Sequence, residues 1–96
     1  FEIPEGYHMK LFMRSSQGAK TKFYLANCVG IVDSSYRGEV MGIFKITAGR
    51  RIKKYIHKGE RFMQGLIEKN IPVEFEEADK LSQTDRGEGG FGSTGK

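Results

Sequence analysis

Arg14-Ser15-Ser16 sets a guanidinium beside two hydroxyls, and an Arg followed by a hydroxyl can hold one phosphate oxygen from two directions. Taken alone, the tripeptide also reads as an exposed strand end. Asp33 opens the cluster Asp33-Ser34-Ser35-Tyr36-Arg37-Gly38, where an Asp either caps its own turn or serves as a base. Tyr36 in that turn is either plain packing or a ring for a sugar or a base. Gln64, between Met63 and Gly65 in an apolar run, is either a satisfied core amide or a ligand contact. His8 and His57 lack a partner pattern and read as surface residues. One thiol, Cys28, with two scattered histidines makes no zinc site.

From Ser82 onward the composition changes. Residues 82–96 hold five glycines and one large apolar side chain, Phe91. Such a segment buries too little surface to offset its ordering entropy, so alone it is a mobile tail. Its Arg86, lone Phe91 and terminal Gly-Ser-Thr-Gly suit an arm that orders on a flat, negatively charged ligand. Gly87, Gly89 and Gly92 satisfy the dinucleotide pattern G-x-G-x-x-G, yet four residues leave no room for the helix it must open. Gly90, Gly95 and Lys96 begin a P-loop whose Ser/Thr and helix do not follow. Both motifs fail. What survives is closely spaced glycine backbone, whose N–H groups can converge on phosphate oxygens.

The elements that must carry these residues read as strands. Short apolar runs fall at 9–13, 23–26 and 29–32, and the polar turn at 33–38 leads into 39–47, which together predict a hairpin. Further strands are expected at 61–67 and 71–75, with Pro72 favouring an edge. Residues 74–81 are the one window with helical character. Several short strands at close spacing argue for an all-β sandwich or barrel. The chain therefore divides into a β core, 1–81, and an arm, 82–96.

Ninety-six residues, 38% of them apolar, are thin for a self-sufficient monomer. No window nears the roughly 20 apolar residues of a membrane span, and no leader opens the chain, so membrane and secretory readings are set aside for a cytoplasmic one. The net charge of +4 is uneven: residues 1–58 carry +7 and residues 59–96 carry −3. Arg50, Arg51, Lys53, Lys54 and Lys58 form the densest basic cluster. Only Tyr55 interleaves it, so a solvated hairpin tip is the better reading and a nucleic-acid interface a poor one. Positive charge elsewhere suits a polyphosphate.

Placed in chain order, the fragments closely resemble four motifs of the trimeric deoxyuridine triphosphatase (dUTPase) family. These are Arg14-Ser15-Ser16 with Gly18 and Lys20; Asn27 with Gly30 to Glu39; Gly59 to Gln64; and Arg86 to Gly95. The hairpin and the arm are the most specific matches. Met13 stands where the family usually has Pro, Phe62 and Met63 replace smaller aliphatics, and Ser35 replaces a frequent acid. The family's first motif, an Ala-Gly-Tyr-Asp-Leu-like segment whose Asp orients metal-bound water, does not occur in these 96 residues, and an N-terminal stretch carrying it is expected.

The resemblance implies a jelly-roll-like distorted β barrel and hydrolysis of dUTP to dUMP and pyrophosphate. Mg²⁺ would be held mainly by the triphosphate and water, with no metal-ligating residue assigned here. Asp33 would be the general base, and Arg14, Ser15, Ser16, Gln64 and Arg86 would hold the triphosphate. Asn27, Gly30 and the following backbone would read uracil, and Tyr36 would pack on the deoxyribose. Phe91 would stack on the base, with Gly92, Ser93 and Thr94 of the arm near the phosphates. It further implies a homotrimer whose sites combine motifs of different subunits. Three alternatives are a non-catalytic nucleotide-binding or regulatory protein on the same scaffold, a dCTP deaminase, which lacks this arm, and a nucleic-acid-binding module.

Overall fold

The computed structural model describes residues 1–47 and 55–95. Its centre is β1 (Tyr7–Met13), flanked by β3 (Gly30–Asp33) and β5 (Met63–Lys69) in an antiparallel sheet of order β3-β1-β5. Successive side chains on a strand face opposite sides, and the middle of β1 obeys this: Met9 and Leu11 are buried while His8, Lys10 and Phe12 on the other face are half-buried. Register sets Val32 and Ile67 beside Met9, so one face gathers apolar groups. Ile3, Met9 and Leu11 form the core, with Val32 and Val40 packed against it.

A second sheet pairs β2 (Phe23–Leu25) with β4 (Phe44–Ile46), and a bond from Ala26 N–H to the Ile43 carbonyl (2.8 Å) extends it. Phe44 joins the sheets. Its ring meets Phe23 edge-on at 6.2 Å and Phe62, just before β5, at 5.7 Å. Edge-to-face pairs at such spacing add about 0.5–1.5 kcal/mol to their area burial. Gly42 makes room for this cluster, because a Cβ there would come within 2.6 Å of the Phe44 ring and 2.7 Å of Met63 Sδ. The bulk of Phe62 and Met63 is thereby accommodated.

The core is thin. Among the described residues only Ile3, Met9, Leu11, Phe23 and Leu25 are buried hydrophobics. The radius of gyration is 19.2 Å, against about 12.5 Å for a compact domain of this length. No helix of the described residues is long and apolar enough to cross a membrane.

Several expectations need correction. Residues 15–20 form a helix, α1 (Ser15–Lys20), instead of ending a strand. A helix of six residues with Gly18 inside has poor propensity, and tertiary contact holds it: Gln17 is buried, and the Thr21 hydroxyl and N–H both donate to the Gln17 carbonyl. The window 74–81 is not helical; it has no sustained apolar stripe to dock. The expected hairpin of 29–32 with 39–47 is not a ladder, since β3 pairs with β1 while β4 pairs with β2, and residues 39–43 are irregular. The two strands expected at 61–67 and 71–75 reduce to β5 alone. Ile71, Val73 and Phe75 are 82%, 73% and 96% exposed, a strand-like alternation that joins no sheet among the described residues. His8 has partners after all: its Nδ1 lies 2.6 Å from Asn70 Oδ1 and its Nε2 3.3 Å from Glu68. Of the basic cluster, Arg50, Arg51, Lys53 and Lys54 lie outside the described residues.

Candidate functional site

Asp33 is the last residue of β3 and sits across from His8 of β1. The chain turns immediately after it. Ser35 N–H donates to Asp33 Oδ1 (3.0 Å), the Ser35 hydroxyl donates to the same oxygen (2.7 Å), and Tyr36 N–H reaches the Asp33 carbonyl (3.3 Å). The local cap expected of an Asp at a turn is therefore made, through one oxygen only. These bonds, the Ser35 hydroxyl first, hold the Asp33 carboxyl below the usual carboxylate range against a weaker opposing effect of desolvation. Arg37 closes the turn from outside, donating to the Ser34 and Tyr36 carbonyls and to Glu2 Oε1 (2.7, 3.1 and 3.3 Å).

Tyr36 folds back within this turn. Its hydroxyl donates to the Glu39 carbonyl (2.8 Å) and lies so close to Gly38 that a side chain at 38 would collide with it. A cavity of about 240 Å³ opens beside the ring, with Asn27, Gly30, Asp33 and Tyr36 in its wall together with apolar Leu11, Val40 and Ile43. Four residues of one ten-residue stretch thus meet around one volume. Ligand pockets for drug-sized molecules run from ~300 Å³ upward, so this one suits a nucleoside better than a whole nucleotide.

Arg14 and Gln64 meet elsewhere. The ladder ends with Phe12 opposite Gln64 and Met13 opposite Met63. Arg14 N–H then bonds the Phe62 carbonyl (3.1 Å) and its guanidinium the Arg61 carbonyl (3.3 Å). Both side chains, with Arg61, line a second recess of about 470 Å³, which shares Leu11 and Val40 with the first. Gln64 is exposed, which excludes its reading as a core amide. Ser15 and Ser16 begin α1 one residue away from Arg14 and line neither recess.

The arm stands apart. Residues 84–95 are a string of turns closed by bonds such as Gly89 N–H to the Arg86 carbonyl (3.0 Å) and Ser93 N–H to the Gly90 carbonyl (3.1 Å). Arg86 Nε donates to the Gly89 carbonyl (2.7 Å), and Phe91 is fully exposed. Arg86, Phe91, Gly92, Ser93 and Thr94 line neither recess. Sequence reasoning assigned no role to Ser35 or Arg61. The Asp-x-Ser spacing was the available signal for the first, because a hydroxyl two residues on can reach back to a turn-opening carboxylate.

The two-sheet scaffold defines an all-β protein that carries a turn-borne carboxylate beside a nucleoside-sized cavity, an Arg/Gln recess next to it and a glycine-rich arm. The family model for dUTPase matches residues 1–95, and the chain belongs to that family. Deoxyuridine 5′-triphosphate nucleotidohydrolases of Finegoldia magna and Hydrogenobaculum sp. are each 40% identical to it over 97% and 98% of its length. The chain spans 64% of the length of each. The dUTPase of Staphylococcus bacteriophage 80alpha, solved with dUPNHPP, superposes with a TM-score of 0.76 at 27% identity, covering 98% of this chain and 70% of that one. The fold is accordingly the jelly-roll-like dUTPase fold.

Proposed function

We propose that the protein hydrolyses dUTP to dUMP and pyrophosphate by attack of water on the α-phosphorus, keeping uracil out of DNA and supplying dUMP. The observation that carries this reading is the convergence of Asn27, Gly30, Asp33 and Tyr36 on one cavity of nucleoside size. Asn27 and the backbone from Gly30 onward offer donors and acceptors to uracil's pairing edge. A wall this close leaves little room for thymine's methyl, and cytosine would leave buried groups unpaired. Tyr36, held by the Glu39 carbonyl, packs on the deoxyribose where a 2′-hydroxyl would need space.

Asp33 takes the proton of the attacking water. Its carboxyl is held below the usual range by Ser35, so it stays in the proton-accepting form at neutral pH while being a weaker base than a free Asp. Arg14, Ser15, Ser16, Gln64 and Arg86 hold the triphosphate and stabilise the charge that grows on it. Mg²⁺ would enter as a passenger on the triphosphate, held mainly by phosphate oxygens and water, with no side chain of this chain assigned as its ligand. Bound there, it would neutralise phosphate charge. Among the described residues no three His, Cys, Asp or Glu side chains converge to hold a metal by themselves.

A homotrimer with sites shared between subunits suits the thin core, the exposed Ile71-Val73-Phe75 segment and an arm that reaches neither recess of its own chain. Association supplies the burial that one chain lacks. The cytoplasm is the compartment that goes with this reading. The competing reading is a nucleotide-binding or regulatory protein without catalysis on the same scaffold. Pyrophosphate release from dUTP with Mg²⁺ decides between them: hydrolysis of dUTP in preference to dTTP, dCTP and UTP is expected, and binding without turnover would leave only the second. Tyr36→Ala should then narrow the kcat/KM preference for dUTP over UTP by about tenfold or more. An unchanged ratio would remove Tyr36 from sugar selection.

A further inference from the structure

We infer that Ser35 is a positioning residue for the carboxylate of Asp33, fixing which of its two oxygens is available to accept a proton. The inference rests on the reading of Asp33 as the base. A carboxylate on a turn has two equivalent oxygens and free rotation about its side chain, whereas a base must present one lone pair steadily to one water. Here the equivalence is broken. Ser35 N–H at 3.0 Å and Ser35 Oγ–H at 2.7 Å both end on Oδ1, and neither reaches Oδ2. Two donors from a single residue pin the group more tightly than either could, because the backbone bond fixes the distance and the hydroxyl fixes the plane. Ser35 stands where the family resemblance leads one to expect an acid, which would offer only its N–H and would repel Asp33.

Other charged groups around Asp33 are accounted for. His8 faces it across the ladder from β1 and is itself engaged by Asn70 and Glu68 of the β5 side, Glu68 being also paired with Lys10 (2.8 Å). Arg37 and Glu2 pair at 3.3 Å on the outside of the turn, and Glu39 and Tyr36 share the cavity wall. All remain in place when residue 35 is changed, so variant and parent differ at the Ser35 donor alone.

The test compares the parent protein with Ser35→Ala and Ser35→Thr, with dUTP and Mg²⁺. Removing the hydroxyl withdraws a donor from the charged form of Asp33, so its carboxyl must titrate at higher pH. In Ser35→Ala the acid limb of the kcat profile is expected to move to higher pH, with KM little changed. The plateau should fall by less than the ~10²-fold that loss of a general base costs at minimum. Ser35→Thr, which keeps the hydroxyl, should return the limb toward the parent's. The carboxyl-carbon shift of Asp33, followed by NMR in substrate-free protein, should move in the same direction and reports independently of turnover. An acid limb and an NMR titration unchanged in Ser35→Ala, with Asp33→Asn inactive, would overturn the role of Ser35 alone. Full turnover in Asp33→Asn would overturn the base assignment and this inference with it.

Discussion

Replacing Asp33 by Asn is expected to lower kcat for dUTP by ~10²–10⁴-fold while leaving dUTP binding intact, the loss usual for a positioned general base. The substitution is close to isosteric. An Asn side-chain oxygen can still accept from Ser35 N–H and Oγ, so the turn after β3 and the seat of Tyr36 should survive. What disappears is the charge and the free lone pair that takes the proton. Removing a negative charge beside a triphosphate should, if anything, tighten binding, since like charges repel. Titration calorimetry with a non-hydrolysable dUTP analogue and single-turnover rates separate the two effects. Equal rates would refute Asp33 as base. Weaker binding with unchanged chemistry would mean that the residue shapes the cavity instead.

The parent's pH dependence carries the same logic. Ser35 and Tyr36 donate to Asp33 and hold its carboxyl below its usual range, so the active, ionised form persists as pH falls further than for a free Asp. Activity that depends on that form is present above the lowered pKa and is lost as pH drops through it.

Much of this arrangement was legible before any coordinates. Asn27, Gly30, Asp33 and Tyr36 fall in one short stretch, and a stretch of ten residues that bends once must bring its ends together. Arg14 and Gln64 were harder, because nothing local says that residue 64 lies next to residue 14; the β1–β5 ladder does that. Strand pairing was misjudged where local pattern competes with distant partners. Residues 39–47 have strand composition, yet the turn at 33–38 spends its bonds on Asp33, Ser34 and Glu39, and only 44–46 find an edge, on β2. The helix at 15–20 was invisible to periodicity because six residues with one buried side chain have no stripe to read. Ile71, Val73 and Phe75 alternate as a strand should, yet among the described residues they pair with neither the β3-β1-β5 sheet nor the β2-β4 sheet and stay exposed.

Deleting residues 86–96 should leave the core folded and reduce kcat/KM for dUTP by ~10²-fold or more. The fold does not need the arm: neither the Ile3-Met9-Leu11 core nor the Phe23-Phe44-Phe62 row includes a residue from it. Far-UV dichroism and the thermal midpoint should therefore change little. Catalysis is expected to need it. Stacking of a base on an aromatic ring is worth ~1–3 kcal/mol, which for Phe91 alone converts to about 5- to 150-fold. Arg86 adds charge on the phosphates, and a closed arm keeps bulk water from the reacting centre. Closure has to rebuild the arm locally. Arg86 Nε is bonded to the arm's own Gly89 carbonyl and must exchange that bond for phosphate oxygens. Phe91 sits at φ 51°, a left-handed conformation costly for a bulky side chain, beside Gly92 at φ 94°. Relaxing Phe91 from that conformation as the ring turns onto uracil would help drive closure. Phe91→Ala, which removes the ring but keeps Arg86 and the glycines, should therefore recover part of what the deletion loses. Full activity in the truncated protein would contradict the lid; a Phe91→Ala variant as impaired as the truncation would instead assign the whole effect to stacking.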